Sequence, residues 1–305
     1  MTFELTAPTE TFNLTMKDDS VITIRRHGNA DAPVRLFVSH GNGFAVDGYF
    51  PFWGPLAQDF DLVVFDFRNH GRNDRSDPAN HNYACMAQDM DDIFLGVSGR
   101  LGDKTSVGIF HSMSARASMK HAIDIAWRWD ALVLFDPPNV PPTDHAIYPT
   151  MESFEKLLMD WALNRRNRFA DPSELAEEYI STRAHRTWVE GAHDLMARAV
   201  TRRDDAKGDW ELSCPRQLES AIYAAALTLN LWPKASEYGG PVKLIGADPD
   251  NEGAPAPAFA NRALGQEGGY EYDTVPGTGH LLQIQRPAEC RALLLDFLRK
   301  NGILD

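Results

Sequence analysis

Cysteine is scarce in this chain. Cys85, Cys214 and Cys290 are its three, with no CxxC pair among them, so neither a disulfide framework nor a zinc ribbon is predicted. A reducing, cytoplasmic setting is the expectation. Basic charge is also in deficit, with 30 Lys and Arg against 43 Asp and Glu, a formal net charge of -13 and a pI near 5.2. Such a surface repels phosphate backbones, and no basic stripe interleaved with aromatics offsets it, so nucleic acid is not expected as a partner. No apolar run approaches the roughly 18 residues that a membrane helix needs. Met1 to Ser20 lacks the basic start and apolar stretch of a signal peptide. Internal repeats and low-complexity tracts are missing too.

What is present is an ordinary globular composition, 43% hydrophobic and 24% charged, over 305 residues, enough for a sizeable core. Short apolar runs bounded by turn residues predict buried strands at Val34–Ser39, Leu62–Phe65, Ser106–Phe110, Ala131–Phe135 and Val242–Ile245. Helical spacing lies between them at Met86–Ser98 and Ala115–Trp127, and after them at Ala288–Leu298. This alternation predicts an α/β fold with a mostly parallel sheet covered on both faces. Phe12–Leu14 and Val21–Arg25 predict an antiparallel edge. From about Pro138 to Glu237 the alternation stops. No strand is evident there, whereas Met151–Asn164, Glu174–Ser181, Ala192–Val200 and Pro215–Leu227 are amphipathic. The expected organisation is a core of residues 1–137 and 238–305 with a helical cap of 138–237, standing over the strand ends where open α/β sheets bind ligands.

Three segments carry chemistry. In Val107 to Ala115 an apolar strand runs through His111-Ser112-Met113 directly into a helix, which holds a serine on a strained bend at the positive end of that helix. The segment resembles the nucleophile elbow of the α/β-hydrolase family, with Phe110 and Ser114 where the family usually has glycine. Serine needs a base and an acid to orient it. Val275-Pro276-Gly277-Thr278-Gly279-His280 resembles the family's histidine loop and assigns the base to His280. For the acid, Pro241 to Asp250 overlays on the family's strand-and-aspartate pattern with Asp250 in the acid position. Shifting that register makes Asp248 the second choice, and Asp136, ending an earlier strand as in some members, the third. The order serine, acid, histidine is that of the fold.

Ser39-His40-Gly41-Asn42-Gly43 resembles the family's His-Gly-x segment, which implies an oxyanion hole from the amides of Asn42 and Met113, with His40 and His111 as structural hydrogen bonders. Asp66-Phe67-Arg68-Asn69-His70-Gly71-Arg72-Asn73 resembles a further, structural family loop, with Asn69 and Asn73 replacing the usual glycine and serine. The resemblance therefore implies a serine hydrolase of the esterase and lipase-like branch with a helical cap, acting on small or medium apolar acyl esters and needing no cofactor or metal. The same residues also serve C–C bond hydrolases, amidases and cofactor-free perhydrolases, and the fold serves as a ligand receptor with weak or no turnover. Arg165, Arg166 and Arg168 form a basic cluster facing an anionic substrate or a solvated helix end. The sequence leaves the oligomeric state open.

Overall fold

The computed structural model describes residues 3–305. Its main sheet has eight strands in the order β1-β2-β4-β3-β5-β6-β10-β11. These are β1 (Glu10–Thr15), β2 (Val21–Gly28), β3 (Val34–Val38), β4 (Asp61–Phe65), β5 (Thr105–His111), β6 (Ala131–Phe135), β10 (Val242–Ala247) and β11 (Glu271–Val275). β1 and β2 form the antiparallel edge, and β4, β3, β5, β6, β10 and β11 run parallel. Every residue of β3, β4, β6 and β10 is buried, as expected of strands covered on both sides.

The covering comes from α1 (Phe50–Trp53), α2 (Tyr83–Leu101), α3 (Met113–Asp124), α8 (Ala256–Gly268), α9 (Leu282–Gln285) and α10 (Pro287–Lys300). Side-chain alternation divides the interior into two cores. Leu36, Val38, Val107, Ile109 and Val133 pack with α1 and α10, whereas Phe37, Phe110, Leu132 and Leu134 pack with α2 and α3. α8 and β11 were not anticipated. β11 has four half-buried residues out of five, Glu271 to Thr274, because it is an edge strand, so it lacks a continuous apolar run.

Between β6 and β10 lie α4 (Tyr148–Asn164), α5 (Pro172–Ser181), α6 (Ala192–Ala199) and α7 (Arg216–Ala226), matching the four amphipathic stretches. The expectation of no strands there is corrected. β7 (Arg168–Phe169), β8 (Thr201–Asp204) and β9 (Asp209–Leu212) form a separate small antiparallel sheet. These strands are two to four residues long and highly charged, and cross-strand ion pairs of Arg168 with Asp204, Asp209 and Glu211 bind them. The insertion also shares the main interior. Phe169, Leu175, Tyr179, Trp188 and Met196 belong to the same buried cluster as Val46, Tyr49 and Phe52.

Candidate active site

Sheet register brings the key side chains together. His111 at the end of β5 pairs with Phe135 at the end of β6, so the residues that follow, Ser112 and Asp136, leave adjacent strand ends side by side. Ser112 has φ 53° and ψ -113°, a left-handed bend that lifts its hydroxyl out of the sheet. The family-atypical neighbours are accommodated locally. Phe110 turns into the α2/α3 core against Trp129, with ring centroids 5.4 Å apart, and covers Gly108, where a Cβ would lie 2.5 Å from its ring. Ser114 closes the bend, its Oγ accepting from the His111 amide at 2.9 Å and donating to the His111 carbonyl at 2.9 Å.

His280 lies between serine and acid. Its Nε2 accepts from Ser112 Oγ at 2.9 Å, and its Nδ1 donates to Asp136 Oδ2 at 2.6 Å. Asp136 is fully buried, and its other oxygen accepts from the Ala247 amide and Asn261 Nδ2, both at 2.9 Å. The preference for Asp250 is thereby corrected. Asp250 is exposed and pairs with Arg262 at 2.7 Å, away from the imidazole. Asp248 does not reach the ring either: its Oδ2 accepts from the Gly277 amide at 2.8 Å and its Oδ1 from the Asp250 amide at 2.9 Å, bonds that hold its carboxyl below the usual range. It braces the histidine loop. The strand end of β10 thus contributes the Ala247 amide to Asp136, and no carboxylate to the imidazole.

Around this chain His111 and His40 are buried and fully hydrogen-bonded. Burial pushes the His111 pKa well down, so its ring is neutral. One tautomer satisfies all its partners: Nε2–H donates to the His280 carbonyl at 2.8 Å, while Nδ1 accepts from Tyr49 OH at 2.8 Å. Tyr49 in turn accepts from the Gly41 amide at 3.2 Å. His111 thereby links the histidine loop to the glycine loop. His40 donates through Nδ1 to the Gly41 carbonyl and accepts through Nε2 from the Phe67 amide.

The Asp66 to Asn73 loop supports the glycine loop from behind. Asp66 accepts from the Val46 amide at 2.8 Å, and Gly71, at φ 50°, leaves no room for a Cβ, which would fall 2.2 Å from that carboxylate. Asn69 takes the left-handed conformation, φ 61°, and its Oδ1 accepts from the Ser76 amide; Asn73 bonds the Thr23 amide and the Asp66 and Phe67 carbonyls. Among the described residues, His70, His81 and Cys214 form a buried group whose potential metal-ligand atoms lie within 4.8 Å of one another. Both His70 nitrogens are already engaged, Nε2 by the Gly43 amide at 3.1 Å and Nδ1 by the Arg68 carbonyl at 2.9 Å.

Asn42 and Ser112 line a cavity of about 760 Å³ together with His280. Met113 opens α3, so its amide has no intrahelical acceptor and is one of the free donors of a helix start. One cavity wall is apolar, with Phe154, Leu157, Leu158 and Trp161 of α4. Elsewhere it is polar and charged. Glu155 pairs with Arg116, and Arg165 pairs with Glu219 at 3.2 Å; all four residues are buried or nearly so. Sequence reasoning missed Glu155 and Glu219, because a carboxylate in an amphipathic helix reads as solvated until packing buries it. The flagged basic cluster is neutralised throughout: Arg166 pairs with Glu174 and Glu178, and Arg168 with three acids of the small sheet.

Several solved structures share this fold. E-2-(acetamidomethylene)succinate hydrolase is 16% identical with a TM-score of 0.77, covering 95% of this chain and 99% of its own. An esterase from Thermogutta terrifontis is 16% identical with a TM-score of 0.64, covering 96% and 99%. The N-formylmaleamic acid deformylase of Pseudomonas putida S16 is 16% identical with a TM-score of 0.64, covering 94% and 100%. Comparison with curated protein sequences gave no match. No helix among the described residues is long and apolar enough to cross a membrane. Residues 36–293, from β3 into α10, match the model of the Alpha/beta hydrolase family, and the chain belongs to that family.

Proposed function

We propose that the protein is a serine hydrolase that cleaves a carboxylic ester or related acyl compound through an acyl-enzyme on Ser112. The carrying observation is the unbroken hydrogen-bond chain from Ser112 through His280 to Asp136 at a half-apolar cavity. His280 removes the Ser112 proton as the hydroxyl attacks the carbonyl carbon, and Asp136 holds the imidazole in the tautomer that accepts it. The tetrahedral oxyanion is received by the Asn42 and Met113 amides, each donor contributing about 10² to 10³ in rate. His280 then protonates the leaving group, and water repeats the sequence to release the acid. Residues 138–237 act as the cap that shapes the acyl site.

A second reading, amide hydrolysis by the same residues, has a specific observation in its favour. Glu155 is a buried lining residue of the cavity whose Oε2 has no partner, so a side-chain shift that turns it to the cavity supplies an acceptor for a substrate N–H. Two structural neighbours carry names describing acyl–nitrogen compounds, (acetamidomethylene)succinate and N-formylmaleamic acid. The test is labelling with a fluorophosphonate, followed by peptide mass mapping and a panel of matched nitrophenyl esters and nitroanilides. Modification of Ser112, lost with turnover in Ser112→Ala, is expected. An unlabelled Ser112, or undiminished turnover in the variant, overturns the serine mechanism, and the ester-to-anilide ratio chooses between the two readings.

A further inference from the structure

The charged groups of the cavity are not all neutralised. Arg165 is spent on Glu219 and Arg116 on Glu155, so those pairs cancel internally. Two more guanidiniums, Arg183 and Arg186, line the same cavity on the segment that follows α5. Both are exposed, and among the described residues neither makes an ion pair. Glu252 is the remaining acid at the cavity, and its contact with Arg183 is through its backbone carbonyl, which accepts from Arg183 Nη2 at 2.9 Å. His185 between them carries no charge near neutrality, because burial pushes it down to about 4. Beyond the internal pairs, the exposed side chains lining the cavity thus include two guanidiniums and one carboxylate, on a chain whose net charge is -13.

The backbone that bears these arginines is hydrogen-bonded to the histidine loop. The Arg186 amide donates to the Thr182 carbonyl at 3.0 Å and the His185 amide to the same carbonyl at 3.2 Å, so the segment is a folded turn. The Val189 amide donates to the Ile284 carbonyl at 3.1 Å. Gln285 joins Thr187 Oγ1 through its amide nitrogen and accepts from the Gly279 amide at 2.7 Å. Gly279 directly precedes His280. Hydrogen bonds thus tie the turn bearing the arginines to the loop bearing the imidazole.

Resting on the serine hydrolase reading, we propose that Arg183 and Arg186 form a carboxylate subsite, so that the substrates are acyl compounds bearing a free carboxylate remote from the scissile bond. Guanidinium groups take carboxylates by paired, charge-assisted hydrogen bonds, and the apolar wall of α4 accommodates the methylenes between the two ends. The basic residues that carry this subsite are not the Arg165, Arg166 and Arg168 cluster conspicuous in the sequence, whose charges are internally consumed.

The test separates binding from turnover. Ser112→Ala protein is titrated calorimetrically with monomethyl adipate and monomethyl suberate, and with methyl hexanoate and methyl octanoate as neutral counterparts. At low ionic strength the acid monoesters are expected to bind about tenfold more tightly. The preference should shrink in about 1 M salt, where the Debye length falls to roughly 3 Å. In Ser112→Ala carrying Arg183→Gln and Arg186→Gln, it should vanish while neutral-ester affinity stays within about twofold. Equal affinity for both series, or a preference that survives the double arginine substitution, overturns the subsite. Because no turnover is involved, an inactive wild-type enzyme would count against the nucleophile and leave this measurement decisive for the arginines.

Discussion

Asp136 owes its contact with His280 to three properties that no other aspartate combines: a strand end adjacent to Ser112, complete burial, and amide donors on the oxygen facing away from the ring. An amide at this position would donate to Nδ1 and impose the wrong tautomer. Asp136→Asn is therefore expected to lower kcat for ester hydrolysis by about 10³ to 10⁴, as loss of the orienting carboxylate does in serine proteases. Asp250→Asn removes only an exposed pair with Arg262 and should leave kcat within about twofold. Steady-state kinetics on the two purified variants separates them, and the opposite ranking would refute the assignment of the acid.

The insertion behaves as two different pieces. β7, α5 and α6 are built into the main core, where Phe169 of β7 is 1% exposed, whereas α4 presents Leu157 and Trp161 at 67% and 43% exposure on the cavity. Phe169→Ala should cost about 3 to 5 kcal/mol in denaturant titration, the usual cost of emptying a core phenylalanine. Trp161→Ala should leave stability within about 0.5 kcal/mol. Its effect falls on binding, with KM for octanoyl esters rising about tenfold through lost apolar contact. α4 buries only Met151, Glu155 and Ala162 of its 17 residues, whereas α6 buries four of its eight, so the α4 amides should exchange with solvent faster than those of α6 in native-state hydrogen exchange.

For the molecule as a whole, buried histidine governs the acid limb of stability. His27, His81 and His185 are pushed down to about 4, and His40, His70 and His111 are also lowered, burial being the largest cause in each. In the unfolded chain the same rings protonate near pH 6.5. As pH falls below that value the unfolded state gains protons that the native state refuses, so stability present at neutral pH is lost progressively toward pH 4. Asp89, raised to about 6 by burial, and Glu155 and Glu219, also raised by burial, have the opposite sign but are three groups against seven, since burial lowers His121 as well. The Tm in scanning calorimetry is expected to fall by several degrees between pH 7 and pH 5. A flat or rising Tm over that interval would contradict the buried neutral rings.

Strand identity, the serine bend and the histidine loop were legible in the residues, because each is local: an apolar run of strand length, a serine between strand and helix, a histidine among glycines. The short charged strands β7, β8 and β9 were not, since ion pairs between distant segments replace the apolar pattern that marks a strand. Nor could spacing rank the aspartates. Asp250 and Asp136 both follow strands, and only the pairing of β5 beside β6 sets Asp136 next to Ser112. Free charge at the cavity was decided in the same way, because whether an arginine is spent depends on which carboxylate the fold carries to it. Local chemistry thus specified which groups can react, and the long-range neighbours created by sheet order specified which of them meet.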